Sequence, residues 1–255
     1  MDERVHGLPV DPPLRQGLDF LLAAHGLCSI ARLNRLLDGT RAESSAEHSW
    51  HLALTALVLA PRVAPDVDLA RVVEMIVLHD LVEVEAGDVP IYDEQARLDV
   101  VVAEQAALAR LFARLPAEEG ERLLRLWHEA EEVRSDEARF AKALDRLQPL
   151  LLHRDGDGRV WVERDVTLGQ ERRLMAVIEQ YWPQLGPVAA ALIDDTGGRG
   201  MLRRSALVQC AHQPLAARCL HGAEPLGQRG RRGRRAAPTV RASDTGACRR
   251  PRVGR

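Results

Sequence analysis

The chain has 255 residues, 46% of them apolar, with four cysteines and a formal net charge of −2, enough to build one substantial core without disulfides or an obligatory partner. The near-neutral total hides an asymmetry: from Arg203 onward thirteen arginines face only Glu224 and Asp244, a local charge of about +11 that leaves about −13 for the body. No stretch reaches the roughly 18 to 20 apolar residues of a membrane span, the Met1–Asp11 start is acidic and proline-broken unlike a signal peptide, and only Cys28 precedes the basic tail, so the expectation is a cytoplasmic protein in a reducing compartment with no disulfide framework.

Apolar residues recur at helical spacing through the first two hundred positions, which predicts an all-α fold, a compact helical bundle. The first helix is expected to begin after Pro12-Pro13 and to run to an Asp38-Gly39 stop, with a break around Gly26 left open and Arg35 near its end. A second starts at Ser44 or Ser45 and stops at Pro61, carrying His48 and His51. The third covers about 68–84 behind an Asp66 or Asp68 cap and ends on His79, Asp80 and Glu83. Gly87-Asp88-Val89-Pro90 then forces a turn, and helices follow at about 93–114, 118–132 and 135–152, with Asp145 in the last. After the Asp155–Gly158 turn, helices at about 168–182 and 187–195 complete the body, 1–203.

Residues 204–255 lose helical periodicity and fill with Arg, Gly and Pro, a composition that cannot bury enough apolar surface to offset chain entropy. They are read as a disordered basic tail. With Lys142 the chain's one lysine, the heavy arginine usage also fits an out-of-frame extension. Its arginine clusters could touch nucleic acid through phosphate contacts, but weakly, since no aromatic residue interleaves them. Its Cys-x-His pairs lack zinc-finger spacing.

The chemistry concentrates in the body. On a helix, His79 and Glu83, four apart, share a face with Asp80, three from Glu83. The run from Val72 to Leu81 is otherwise nearly continuous apolar sequence, so some of these groups point into a dry interior, where unpaired charge costs on the order of several kcal/mol. Asp145, among Ala141, Leu144 and Leu147, and His48, beside Trp50 and Leu52, pose the same problem. One divalent cation would satisfy His48, His79, Asp80 and Asp145 together. Imidazole and carboxylate donors suit Mn, Fe, Co, Ni or Zn, with Mg also open, and the lack of a well-placed Cys argues against a closed structural zinc site. His48-x-x-His51 is no zinc-protease motif, because Ser49 stands where that motif needs Glu.

Glu47-His48, His79-Asp80 and Asp145 match the His…His-Asp…Asp signature of the HD-domain phosphohydrolases. The residues around them, 41–51, 79–83, 86–88 and 143–148, resemble the bacterial 5′-deoxynucleotidase-like branch, with similarity running from about 14 to 203. The resemblance implies a metal-dependent phosphomonoesterase with His48, His79, Asp80 and Asp145 as ligands, and with Asp80 and Asp145 also facing the substrate. It further implies that Glu83 assists the attacking water, that Asp88 positions or protonates the nucleotide, that Arg35 meets its phosphate, and that the protein is a homodimer. Relatives of this kind carry Trp directly after that Arg, whereas Leu36 follows Arg35 here. Another small phosphate ester, or a cyclic nucleotide, therefore stays open as substrate, and a binding module with a structural metal and a nucleic-acid-contacting tail is the non-enzymatic alternative.

Overall fold

The computed structural model describes residues 9–87, 106–156 and 158–203. Asp88, most of the helix expected over 93–114 and the entire 204–255 tail lie outside the described residues.

The described chain is mainly helical, as the apolar periodicity predicts. Helix α1 (Pro12–Ala24) is capped by Asp11, whose side chain accepts from Leu14 N–H at 2.8 Å. It does not continue to Asp38-Gly39. A 3-10 turn (His25–Ser29) leads into strand β1 (Ala31–Arg35), which pairs antiparallel with β2 (Ala42–Ser44). The reason is local. Gly39 takes φ +69°, its N–H bonds Leu36 O at 2.8 Å, and Asp38 Oδ1 accepts from both the backbone and hydroxyl of Thr40. An Asp-Gly pair in this conformation closes a hairpin instead of ending a helix.

Helix α2 (Ser45–Val63) opens on a capping box between Ser44 and Glu47 and carries Pro61 within its last turn, two residues beyond the expected stop. Arg41 clamps Glu47, and this hydrogen bond, with those from Ser44, lowers the Glu47 carboxyl to about 2. The first turn, which holds His48, is thereby fixed.

Helix α3 (Leu69–His79), capped by Asp68, ends earlier than the periodicity predicts, and α4 (Glu83–Ala86) follows after a break at Asp80. The indole N–H of Trp127 donates to His79 O at 3.0 Å, while Glu83 N–H goes to Asp80 O at 2.9 Å. The carbonyl that would continue the ladder is therefore taken from outside. Residues 106–112 are helical. Then come α5 (Ala117–Glu131), α6 (Asp136–Asp155, capped by Ser135), the short α7 (Arg159–Glu163), α8 (Leu168–Tyr181) and α9 (Gly186–Gly198).

Two apolar clusters share α3. Val72 and Ile76 pack with Leu52, Phe140, Leu144 and Ile178, whereas Met75 and Leu78 pack with Phe20, Leu111 and Trp127. With both flanks buried, the C-terminal end of α3 is held between the two clusters, and it delivers His79 there.

His153 of α6 is buried, bonds Asn34 Oδ1 at 2.7 Å and meets Trp161 edge-on at 5.1 Å. Burial lowers its pKa from 6.5 to about 4. The unfolded chain thus binds a proton below about 6.5 that the folded chain refuses until about 4. Stability should fall as pH drops through that window, by up to about 3 kcal/mol. Urea melts at pH 7 and pH 4.5 check this: His153→Gln should flatten the slope, and an unchanged slope would assign it to other groups.

Among the described residues no helix is long and apolar enough to cross a membrane. Trp50, Leu54, Leu57 and Val58 form an exposed apolar stripe on α2, while α9 exposes Val188.

Candidate functional site

Three segments remote in sequence meet where the first turn of α2, the end of α3 and the middle of α6 come together. One donor atom each from His48, His79 and Asp145 lies within 4.8 Å of the others. His48 Nε2 is 3.2 Å from Asp145 Oδ1, and His79 Nε2 is 3.8 Å from the same oxygen. The two imidazoles are 5.5 Å apart, tilted by 51°. Asp80 joins from the helix break, with Oδ1 3.0 Å from His79 Nε2.

Hydrogen bonds on the outer nitrogens orient both rings. His79 Nδ1–H donates to Ile76 O at 2.6 Å, and His48 Nδ1–H to Gln148 Oε1 at 3.1 Å. Each leaves an Nε2 lone pair facing carboxylate oxygens. Among the described residues His79 Nε2 has no aligned hydrogen-bond partner, although it is buried. Acceptor against acceptor is unfavourable unless something positive sits between them. A proton can play that part: burial works to lower the His79 pKa, but Asp80 and Asp145 outweigh it and raise it to about 9. A divalent cation suits the same lone pairs better, since neutral imidazole nitrogen and carboxylate oxygen are its ordinary ligands and the outer hydrogen bonds are those expected of ligating histidines. The residues present fit a metal ion.

The carboxylates also have cationic neighbours. Asp145 Oδ2 lies 3.9 Å from Lys142 Nζ and 3.8 Å from Arg146 Nη1. Burial pushes its pKa up, but Arg146, the His48 hydrogen bond, Lys142 and His79 hold it well below the usual carboxylate range. Asp80 behaves alike: burial opposes ionisation, and His79 and Arg32 prevail. Charge balance therefore does not rest on a metal alone. Lone-pair geometry makes the case for an ion.

Several of these partners escape the sequence reading. Arg32, on β1, places Nη1 2.9 Å from Asp80 Oδ2 and 3.7 Å from Glu83 Oε1. Glu83 also accepts from the Ser45 hydroxyl at 2.5 Å. Behind His48, Gln148 Nε2 donates to Glu43 Oε1 at 3.2 Å and to His51 Nδ1 at 2.9 Å, so His51 braces Gln148. Arg35, expected at the substrate phosphate, is not brought to this cluster. Its Nε and Nη2 donate to Gly39 O, at 3.3 and 2.8 Å, and it lines a different cavity with Leu36 and Arg159. Position explains the difference, because with a strand in place of the expected helix, Arg32 is the arginine of β1 that reaches the acids. Asp88 lies outside the described residues.

Residues 25–185 match the HD domain family. The chain belongs to the HD-domain phosphohydrolase superfamily. Its HD-domain fold is also that of the crystal structure of a "predicted metal-dependent phosphohydrolase" from Magnetospirillum magnetotacticum MS-1, 38% identical with a TM-score of 0.71, over 75% of this chain and 99% of that one. The 5′-deoxynucleotidase HDDC2 of Bos taurus is 31% identical over 109 residues, 43% of this chain and 52% of the relative. The Homo sapiens protein of that name is 30% identical over 112 residues, 44% and 53% respectively. The chain thus spans about half the length of the curated relatives it matches.

Proposed function

We propose that this HD-domain protein is a divalent-metal-dependent phosphomonoesterase acting on nucleoside or deoxynucleoside 5′-monophosphates. The observation that carries the reading is the meeting of donor atoms from His48, His79 and Asp145 within 4.8 Å of one another, with Asp80 3.0 Å from His79 Nε2 and Arg32 reaching both Asp80 and Glu83. The name of the HDDC2 relatives supports the substrate class.

In this reading His48 and His79 offer Nε2, and Asp145 and Asp80 one oxygen each, to the ion. When bound, a divalent cation supplies Lewis acidity, bringing the pKa of water toward about 7 and polarising a phosphoryl oxygen. Arg32 presents a guanidinium fork to the remaining phosphoryl oxygens, the task first assigned to Arg35. Glu83, oriented by Ser45 and Arg32, accepts the proton of the attacking water. Asp88 keeps the role implied by the family resemblance, orienting the nucleotide or protonating its leaving oxygen.

Purified protein with manganese or cobalt should release phosphate from 5′-monophosphates in preference to 3′,5′-cyclic nucleotides and triphosphates. Turnover of cyclic nucleotides or triphosphates alone would overturn the substrate assignment.

Gln148 acts through His48, fixing its tautomer and ring plane. Gln148→Leu should weaken manganese binding about 10- to 100-fold by calorimetric titration. Unaltered affinity would remove it from the site.

A further inference from the structure

Glu43, the middle residue of β2, is a carboxylate only 2% exposed. Its Oε1 accepts from Gln148 Nε2 at 3.2 Å, while among the described residues Oε2 has no hydrogen-bond partner and stands 4.0 Å from His48 Nδ1. Burying a half-satisfied carboxylate is unfavourable, so folding alone gives little reason for an acid here.

The acid heads a chain of hydrogen bonds that runs from β2 through α6 to α2. Gln148 Nε2 donates to Glu43 Oε1 and, at 2.9 Å, to His51 Nδ1, and Gln148 Oε1 accepts from His48 Nδ1–H at 3.1 Å. Three of these four groups have no direction of their own, because an amide can turn end for end and a neutral imidazole can carry its proton on either nitrogen. A carboxylate can only accept. Glu43 thus draws the NH₂ end of the Gln148 amide towards itself and leaves the amide oxygen for His48. With Nδ1–H donating, the Nε2 lone pair of His48 faces Asp145 Oδ1, 3.2 Å away. Were the amide reversed, a donor would point at Nδ1, the His48 proton would move to Nε2, and a ligand position would be blocked.

We propose that Glu43 is a positioning residue of the metal centre, fixing through Gln148 the tautomer in which His48 offers Nε2 to the cation. The inference rests on the metal-dependent reading given above. His51 reinforces the orientation as a second acceptor, but an imidazole that can also donate does not dictate it.

The test is calorimetric titration of full-length, metal-stripped protein with manganese, using Glu43→Gln, which conserves size but removes the fixed direction. Affinity should fall about tenfold, and the urea-unfolding midpoint should hold or rise, because a neutral amide is no more costly to bury than the carboxylate. In a Gln148→Leu background the same substitution should cost no more than about twofold, since the link to His48 is already cut. Affinity within about twofold of the parent, or an equal loss with and without Gln148, overturns the inference while manganese binding by the parent stands. A midpoint that falls with the affinity, or a variant that does not fold, marks the acid as structural and overturns it as well. Parent protein that takes up no manganese overturns the metal-dependent reading, and this inference with it.

Discussion

Asp80→Ala should lower phosphate release with manganese or cobalt by at least about three orders of magnitude, because it removes a proposed ligand and the anchor of Arg32 in one step. Asp80 Oδ1 lies 3.0 Å from His79 Nε2, and Oδ2 holds Arg32 Nη1 at 2.9 Å. Without this carboxylate, the imidazole loses the neighbour that does most to favour its protonated form, and the guanidinium loses the nearer of its contacts with Asp80 and Glu83, at 2.9 and 3.7 Å. Phosphate-release assays at saturating metal, with circular dichroism as a fold control, make the measurement. Activity within tenfold of the parent in folded protein would defeat the metal-centre account.

Phe140→Ala should reduce the free energy of unfolding by about 3–5 kcal/mol. The ring is completely buried, packs 5.0 Å from Trp182 and lies on α6 five residues before Asp145. Removing it leaves a void between α6 and the segment after α8, where Leu144 and Ile178 are also fully buried and cannot easily close in. The midpoint of urea unfolding, with the slope checked for constancy, gives the value. A loss under about 1 kcal/mol would mean that this cluster is packed far more loosely than its burial implies.

Local chemistry was the legible part of this chain. Ser44 with Glu47, Asp68 and Ser135 are caps that can be read from a few residues of context, and the helices they start are where they were expected. His48, His79, Asp80 and Asp145 could be singled out because each is an ionisable group in an apolar run, which is itself a local anomaly. The misreading of Asp38-Gly39 was local too. The same dipeptide stops helices and closes hairpins, and apolar spacing around Leu33 and Leu36 did not separate the two. Arg35 at the phosphate is what the family resemblance implies, whereas the hairpin puts Arg35 on Gly39 O and Arg32 on Asp80.

What stayed illegible is long-range. Gln148 and Glu43 bond across most of the body, and the Trp127 indole reaches the end of α3 from α5. Glutamine on an apolar helix and tryptophan in an acidic one have ordinary explanations, and only tertiary packing reveals their partners. The early end of α3 goes with that unseen donor and with the shift of Leu81 N–H to Leu78 O, whereas periodicity alone continues past Asp80.

The scarcity of lysine gives the centre an unplanned handle. Lys142, with its ammonium 3.9 Å from Asp145 and about a quarter of its side chain exposed, is the sole side-chain amine in 255 residues. Acylating reagents therefore have one internal target, at the edge of the acid–imidazole cluster, and a tag attached there would sit beside the chemistry without any engineered residue.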